Sequence, residues 1–291
     1  MTEPNGHHGQ ATTTALARRR TPWPLMIVAA LLVIVPFIFW YGTWFGRTLS
    51  DAEIERYLRD EEQPRHEQHA LSQIVARMEQ HDEHVRQWYP QITQLVASRH
   101  ADVRMTAAWV MGKDARAQEF HTALLKLLTD AEPIVRRNAA LALVPFNDAS
   151  GRTELRAMLS PYTFKAPLAG QLISILSVGT PVKREAMLAR VRTDAAQSAE
   201  IRSPLPGRIE QLAVAPGAQL TTGQTLLTLA PDKDSVLNAL VGLRFVGAAE
   251  DLPEIERYVQ GVRGLSDESK RAAALTAEAI KRRVADQHLT P

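Results

Sequence analysis

The chain has 291 residues, no cysteine, and a formal net charge of +2 from 34 Lys and Arg against 32 Asp and Glu. This near balance argues against nucleic acid as a partner, because phosphate binding needs a concentrated basic surface. The lack of cysteine excludes disulfides, thiolate catalysis, zinc–thiolate sites and thioether attachment of haem.

An uncharged run from Trp23 to Phe45 follows a polar N-terminal stretch. At about 1.5 Å rise per residue the run is long enough for the roughly 30 Å hydrocarbon core of a bilayer, and the aromatic residues at both ends suit the headgroup zones. A cleaved signal peptide is the alternative, but its apolar core would have only about 7–15 residues. The sequence therefore predicts a transmembrane helix over residues 23–45, after a disordered cytoplasmic tail over residues 1–22.

Three arginines, Arg18, Arg19 and Arg20, directly precede this run. The positive-inside tendency keeps such a flank in the cytoplasm. We therefore expect a single-pass protein of the inner (cytoplasmic) membrane, with its N-terminus in the cytoplasm and its C-terminal domains periplasmic.

A helical pattern begins at Ser50, which with Glu53 forms an N-cap signal. Residues 102–111 then resemble residues 133–143, with an offset of 32 residues between matching positions. Each copy carries Val-Arg and then an Ala-Ala pair, and each follows an apolar helix. Small Ala pairs let a partner helix approach closely.

This pattern resembles the HEAT-repeat family, whose second helix typically carries these Val-Arg and Ala-Ala positions. Weaker copies follow at residues 236–247, 252–259 and 267–275. The resemblance implies an α-solenoid over residues 50–161 and 232–286. Amphipathic helices of another all-α bundle remain the alternative.

Pro and Gly recur between these two helical stretches, and apolar residues alternate as in strands. Two halves, residues 164–191 and 201–229, align: each has Pro, then Gly three residues on, then a second Gly nine or ten residues later. The glycines supply positive φ at the turns. The alternation predicts a small two-sheet core.

The two halves resemble the barrel-sandwich hybrid of biotinyl/lipoyl domains and of periplasmic adaptor (membrane-fusion) proteins of export systems. The resemblance implies a small β domain over residues 162–231, inserted at the inter-helix turn of one repeat; an unrelated all-β insertion is the alternative. In the carriers of this family, the modified lysine lies at the hairpin that joins the halves. Here that hairpin, residues 192–200, has no lysine, and Ala195 stands where the acceptor would be expected. We therefore expect no swinging arm and no cofactor.

Four histidines form two i, i+3 pairs, namely His66, His69, His81 and His84. Such imidazoles could bind zinc, nickel or copper if the helix continues through them. A solvated polar helix surface is the reading that we favour, so we expect no metal site. The sequence has no Gly-x-Ser-x-Gly elbow, phosphate loop or dinucleotide fingerprint. We therefore expect no catalytic residues.

Together these patterns predict a mainly α fold: an N-terminal transmembrane helix and a HEAT-like α-solenoid, interrupted by a small all-β barrel-sandwich hybrid domain. The predicted function is a membrane-anchored, non-catalytic scaffold or adaptor that binds other membrane or periplasmic proteins on the extracytoplasmic face. One alternative is an adaptor subunit of an export or efflux system. The second alternative is a metal-binding protein or enzyme that uses the histidine cluster.

Overall fold

The structure, a computed structural model, describes residues 23–40, 48–193, 197–262 and 266–289. The chain divides into two compact units, Met1–Thr48 and Leu49–Pro291. The described part of the first unit contains one long helix, α1 (Trp23–Trp40), with Pro36 inside it.

The predicted transmembrane helix is wrong, because no helix in the described ranges is both long and apolar enough to cross a membrane. Helix α1 covers 18 of the 23 residues that were predicted to span, and residues 41–45 lie outside the described residues. The fold class is therefore corrected to a mainly α fold with two antiparallel sheets, without the transmembrane helix. The predicted inner-membrane localisation, with periplasmic C-terminal domains, depended on this helix and is wrong as well. The predicted tail, residues 1–22, lies outside the described residues.

Short paired helices build most of the second unit. They are α2 (Asp51–Leu58), α3 (Pro64–Glu79), α4 (Tyr89–Gln94), α5 (Ala101–Met111), α6 (Gln118–Leu127), α7 (Pro133–Leu143), α8 (Arg152–Ala157), α9 (Lys233–Val246), α10 (Leu252–Gln260) and α11 (Asp267–Leu289). The first begins where the sequence indicates: the Ser50 hydroxyl accepts the N–H of Glu53, and the Glu53 carboxylate accepts the N–H of Ser50. This capping box satisfies two backbone donors at the helix start.

The Ala pairs lie in the core between helices. Ala107 and Ala108 of α5 are buried, as are Ala139 and Ala140 of α7. Because these side chains are small, α5 and α7 pack closely against their neighbours. Among the helices that come second in their pairs, we call α5, α7, α9 and α11 the inner helices.

The β structure separates the two helices of one pair. The chain leaves α8 at Ala157, enters the first strand at Tyr162, and returns to helix at Lys233. Leu155 of α8 and Val236 of α9 nevertheless belong to one buried cluster. The pair therefore packs together across an insertion of about seventy residues.

The insertion, which we call the β unit, contains eight strands in two four-stranded antiparallel sheets. They are β1 (Tyr162–Lys165), β2 (Gly170–Ile175), β3 (Pro181–Val182), β4 (Met187–Arg192), β5 (Ser198–Arg202), β6 (Gly207–Leu212), β7 (Gln219–Leu220) and β8 (Thr225–Pro231). One sheet has the order β1-β8-β6-β3 and the other β5-β4-β2-β7. The apolar positions of both sheets form one buried cluster, which includes Leu172, Val191, Ile209 and Leu229.

The contacts between the β unit and the helices include an ion pair and a cation–π contact. Arg184, in the turn between β3 and β4, forms a salt bridge with Asp102 of α5. Arg137 of α7 is almost fully buried, and its guanidinium lies 5.9 Å from the centroid of the Tyr162 ring at the start of β1. Burial lowers the pKa of Arg137, because desolvation disfavours the charged form.

Candidate functional site: an apolar groove across the inner helices

Large apolar side chains reach solvent from successive inner helices. Trp109 of α5 is 43% exposed, and Val241 and Phe245 of α9 are 54% and 58% exposed. Leu141 of α7 is partly exposed and follows Trp109 by 32 residues, the repeat offset itself. The repeat thus places apolar residues at matching solvent-facing positions of neighbouring helices.

These side chains line a groove of about 500 Å³, which we call the inner-helix groove. Its lining residues come from α5, α7, α9 and the residues that follow them: Trp109, Gly112, Lys113, Asn138, Leu141, Ala142, Val144, Pro145, Asn238, Val241, Gly242 and Phe245. Two of them show how closely α5 and α7 approach, because a Cβ added at Gly112 would lie 2.9 Å from the Cα of Ala142.

Three polar residues complete the lining. The Lys113 ammonium lies 4.8 Å from the centroid of the Trp109 ring and 3.9 Å from Glu79 Oε1. The Asn138 side-chain amide donates to the backbone oxygen of Ile134 at 2.9 Å, which leaves its side-chain oxygen as an acceptor. Asn238 is exposed. The groove can therefore bury apolar side chains while its carboxamides and ammonium meet polar groups at the edges.

The predicted histidine cluster does not lie on one continuous helix. His66 and His69 are in α3, but this helix ends at Glu79. His81 lies beyond its end with a φ of 61°, and His84 is in the 3-10 helix Glu83–Trp88. Across the described ranges, no group of three or more His, Cys, Asp or Glu residues is placed to hold a metal ion.

The histidines have other contacts. The Nδ1 atom of His66 lies 2.7 Å from Asp60 Oδ2, and its ring stacks on Tyr57 with 4.2 Å between centroids. The Nδ1 atom of His84 lies 3.0 Å from Asp82 Oδ1. These partners are two local carboxylates and the Tyr57 ring.

The hairpin expected to join the β halves runs from the end of β4 at Arg192 to β5, which begins at Ser198. Ala195 lies outside the described residues. The groove residues Trp109, Val241 and Phe245 were not predicted as site residues. The available signal was a bulky apolar residue at Trp109 and again at Leu141, directly after each Ala-Ala pair.

These features define a class, a helical-repeat protein with an inserted two-sheet β unit. Residues 89–163 match the family model described as HEAT repeats, which confirms HEAT repeats in this part of the chain. Among curated proteins, none matches the sequence significantly. One similar solved structure is a single-chain, multi-domain long-chain acyl-CoA carboxylase; the identity is 21% over 35% of this chain and 11% of that chain, with a TM-score of 0.24. A likeness of this size carries no argument about function.

Proposed function

We propose that the protein is a non-catalytic scaffold that binds an apolar segment of another protein in the inner-helix groove. The observation that carries the proposal is the row of exposed Trp109, Val241 and Phe245 in one groove. Arrays of helical repeats expose extended binding surfaces. Contiguous exposed apolar surface is typical of interaction sites in globular proteins.

The residues that line the inner-helix groove indicate what kind of segment can bind there. Burying one large apolar side chain contributes about 1.5–3 kcal/mol, so two or three such contacts are needed to offset the cost of association. The partner segment therefore carries at least two large apolar residues. An acidic residue beside them would pair with Lys113, the only charged group in the groove lining as far as the structure describes it.

The test is a display library of short peptides selected on the full chain. Enriched peptides should carry clustered apolar residues, and Val241→Asp should weaken their binding at least about tenfold, since it puts a charge into a buried contact. Val178→Asp in the β unit is the matched control, because Val178 is exposed to a similar degree, 58%. Peptides that bind Val241→Asp and wild type equally well would contradict the proposal.

The β unit favours a narrower form of the same proposal, an adaptor subunit of an export system. Its support is the pairing of two similar halves, each of which contributes strands to both sheets, together with the resemblance of these halves to adaptor domains. Co-purification of the tagged full chain with an export transporter supports this form, and recovery without one contradicts it. Because the hairpin over residues 192–200 has no lysine, intact mass spectrometry should find no lipoyl or biotinyl adduct.

A further inference from the structure

Glu67 is a fully buried carboxylate without a partner. It lies in the first turns of α3, its relative exposure is 0%, and neither carboxylate oxygen has a hydrogen-bond partner among the described residues. An ionised carboxylate in such a place loses its hydration without compensation. A group with hydrogen-bond donors and a positive charge next to Glu67 would compensate for this lost hydration.

A cavity of about 270 Å³ lies next to this side chain. Its lining contains carboxylates from Glu61 and Glu67 and guanidinium groups from Arg59 and Arg99. Apolar surface comes from Leu58, Leu95 and Ala97. We call it the Glu67 pocket. It combines a buried acidic end with walls that suit methylene groups.

The positive charges around the pocket already have partners. Arg99 lies 3.1 Å from Glu62 Oε1 and donates to the backbone oxygen of Glu61, also at 3.1 Å. Arg59 pairs with Glu55 at 2.7 Å.

The neighbouring Asp60 has a partner too, because its Oδ2 atom lies 2.7 Å from His66 Nδ1. Within the described part of this region, Glu61 and Glu67 are the carboxylates that form no ion pair. The lining therefore carries two carboxylates and two guanidinium groups, and Glu67 is the buried carboxylate among them that has no hydrogen-bond partner in the described residues.

We propose that the Glu67 pocket binds the primary ammonium group of a short aliphatic amine. An ammonium has three donors and one positive charge, which fits two carboxylates, and the alkyl chain fits the apolar walls. A metal ion fits less well, because the described residues hold no group of three or more His, Cys, Asp or Glu arranged for one. The ammonium can come from a free diamine or from a lysine side chain.

The pH dependence of binding is an independent readout. Burial is the main cause that raises the pKa of Glu67 to about 7, repulsion from Glu61 and Asp60 adds to this shift, and Arg99 acts in the opposite direction. An ammonium prefers the ionised carboxylate, so binding weakens as pH falls. Between pH 8 and pH 6 the ionised fraction of a group with a pKa near 7 falls about tenfold, and the affinity should fall by a similar factor.

The experiment is calorimetric titration of the full chain with 1,5-diaminopentane and, separately, with N-acetyl-lysine methylamide, at both pH values. Glu67→Gln keeps the shape of the side chain and should weaken binding at least tenfold. Glu61→Gln, at an exposed position, should weaken it several-fold and keeps the test valid if the first variant misfolds. Glu79→Gln, on the same helix but outside the pocket, should leave binding unchanged.

Tighter binding of the diamine identifies a free amine as the source, and tighter binding of the lysine analogue identifies a protein side chain; either result supports the proposal. If neither probe binds at concentrations up to about 10 mM, the proposal is overturned. Equal binding by wild type and the Glu67→Gln variant would overturn it as well.

Discussion

The helical repeats and the β unit both contain similar copies of a sequence segment, but the copies are joined in different ways. In the helical region, each copy keeps its own pair of helices and contacts its neighbours along the chain. In the β unit, β2 and β4 of the first half form the centre of one sheet, with β5 and β7 of the second half at its edges. The other sheet reverses the arrangement, with β6 and β8 at the centre and β1 and β3 at the edges.

This difference predicts that the two regions unfold in different ways. Neither β half has a sheet of its own, so we expect both halves to unfold in one step. A helical repeat needs only its neighbours, so a local defect should stay local. Substitutions at equivalent positions in the two regions can test this contrast.

The largest effect is expected for Gly170→Ala in the β unit. Gly170 has a φ of +146°, and an added Cβ would lie 2.7 Å from Val191 Cγ1 and closer still to the Arg192 carbonyl oxygen. Backbone strain and overpacking together should lower the free energy of unfolding by about 3 kcal/mol or more. Urea denaturation measures the loss, and hydrogen exchange should show reduced protection in strands of both halves.

Gly179→Ala is the matched control for this substitution. Its φ is +88°, but a Cβ there meets nothing within 4 Å. Only the backbone strain of about 1–2 kcal/mol remains, and the smaller loss of backbone entropy with Ala reduces the net cost to about 0.5–1 kcal/mol. Loss of protection confined to β2 and its immediate neighbours in the Gly170→Ala variant would contradict single-step unfolding of the β unit.

The next effect concerns two equivalent arginines of the helical repeats. Arg104 makes two hydrogen bonds to Asp130, at 2.6 and 2.8 Å, and both side chains are largely buried. Arg136 makes one bond of 2.8 Å to Glu154, and this pair is more exposed. Arg104→Met should cost about 2–3 kcal/mol and Arg136→Met about 1 kcal/mol. If urea denaturation shows equal losses in the free energy of unfolding for the two variants, the deeper burial of the Arg104–Asp130 pair adds no stability.

Acid should remove the contribution of the Arg104–Asp130 pair. Burial by itself raises the pKa of Asp130, but hydrogen bonds from Arg104 and from the backbone of Glu132 outweigh it, and the pKa lies below its ordinary value. A depressed carboxyl pKa stabilises the folded state above the unfolded pKa of about 3.9, and this stabilisation is lost as pH falls through the folded value. The difference between wild type and Arg104→Met should therefore shrink below about pH 4.

Gly112→Ala tests whether a defect in the helical region stays local. The added Cβ would lie 2.9 Å from backbone and side-chain carbons of Ala142, and overpacking of this kind costs about 1–3 kcal/mol, partly offset by the better helix propensity of Ala. We expect a net loss of about 1–2 kcal/mol and faster hydrogen exchange in α5 and α7 alone.

Gly242→Ala in α9 provides the comparison. Its Cβ would meet only the ends of the Leu155 and Val144 side chains, at 3.1–3.3 Å, so the substitution should be nearly neutral. Faster exchange throughout the β unit in the Gly112→Ala variant would remove the contrast between the two regions.

The sequence was informative where packing leaves a local pattern. The Ala pairs at residues 107–108 and 139–140 are buried contacts, and the HEAT repeats they indicated are confirmed over residues 89–163. The glycine spacing of the β halves reflects turns such as those at Gly179 and Gly217, both with a φ of +88°. Such positions can be predicted because one residue type satisfies a local requirement.

Other features depend on neighbours that are distant in sequence. Whether Val241 is buried or exposed is decided by which helices cover α9, and the β unit separates α9 from α7 in the chain. Glu67 stands between His66 and Gln68 in a polar run, so nothing local indicates that it is buried. The membrane prediction was wrong for a different reason: it was made from apolar composition alone, and no helix in the described ranges is both long and apolar enough to cross a membrane.

The smallest effect, and the most direct comparison of the β halves, concerns Glu185 and Gly223. The N–H of Glu185 donates to Ser203 O and the N–H of Gly223 to Ala166 O, both at 2.8 Å, so the two residues make equivalent turns. Their φ values are 64° and 84°, a region that costs a residue with a Cβ about 1–2 kcal/mol. Because glycine also loses more backbone entropy on folding, Glu185→Gly should stabilise the protein by only about 0.5–1 kcal/mol. Gly223→Ala should destabilise it by a similar amount, and thermal unfolding of both variants measures the two effects.

If Glu185→Gly is destabilising instead, the exposed ion pair between Glu185 and Arg184 contributes more than the strain of the turn. The two halves would then stabilise the same backbone shape in different ways.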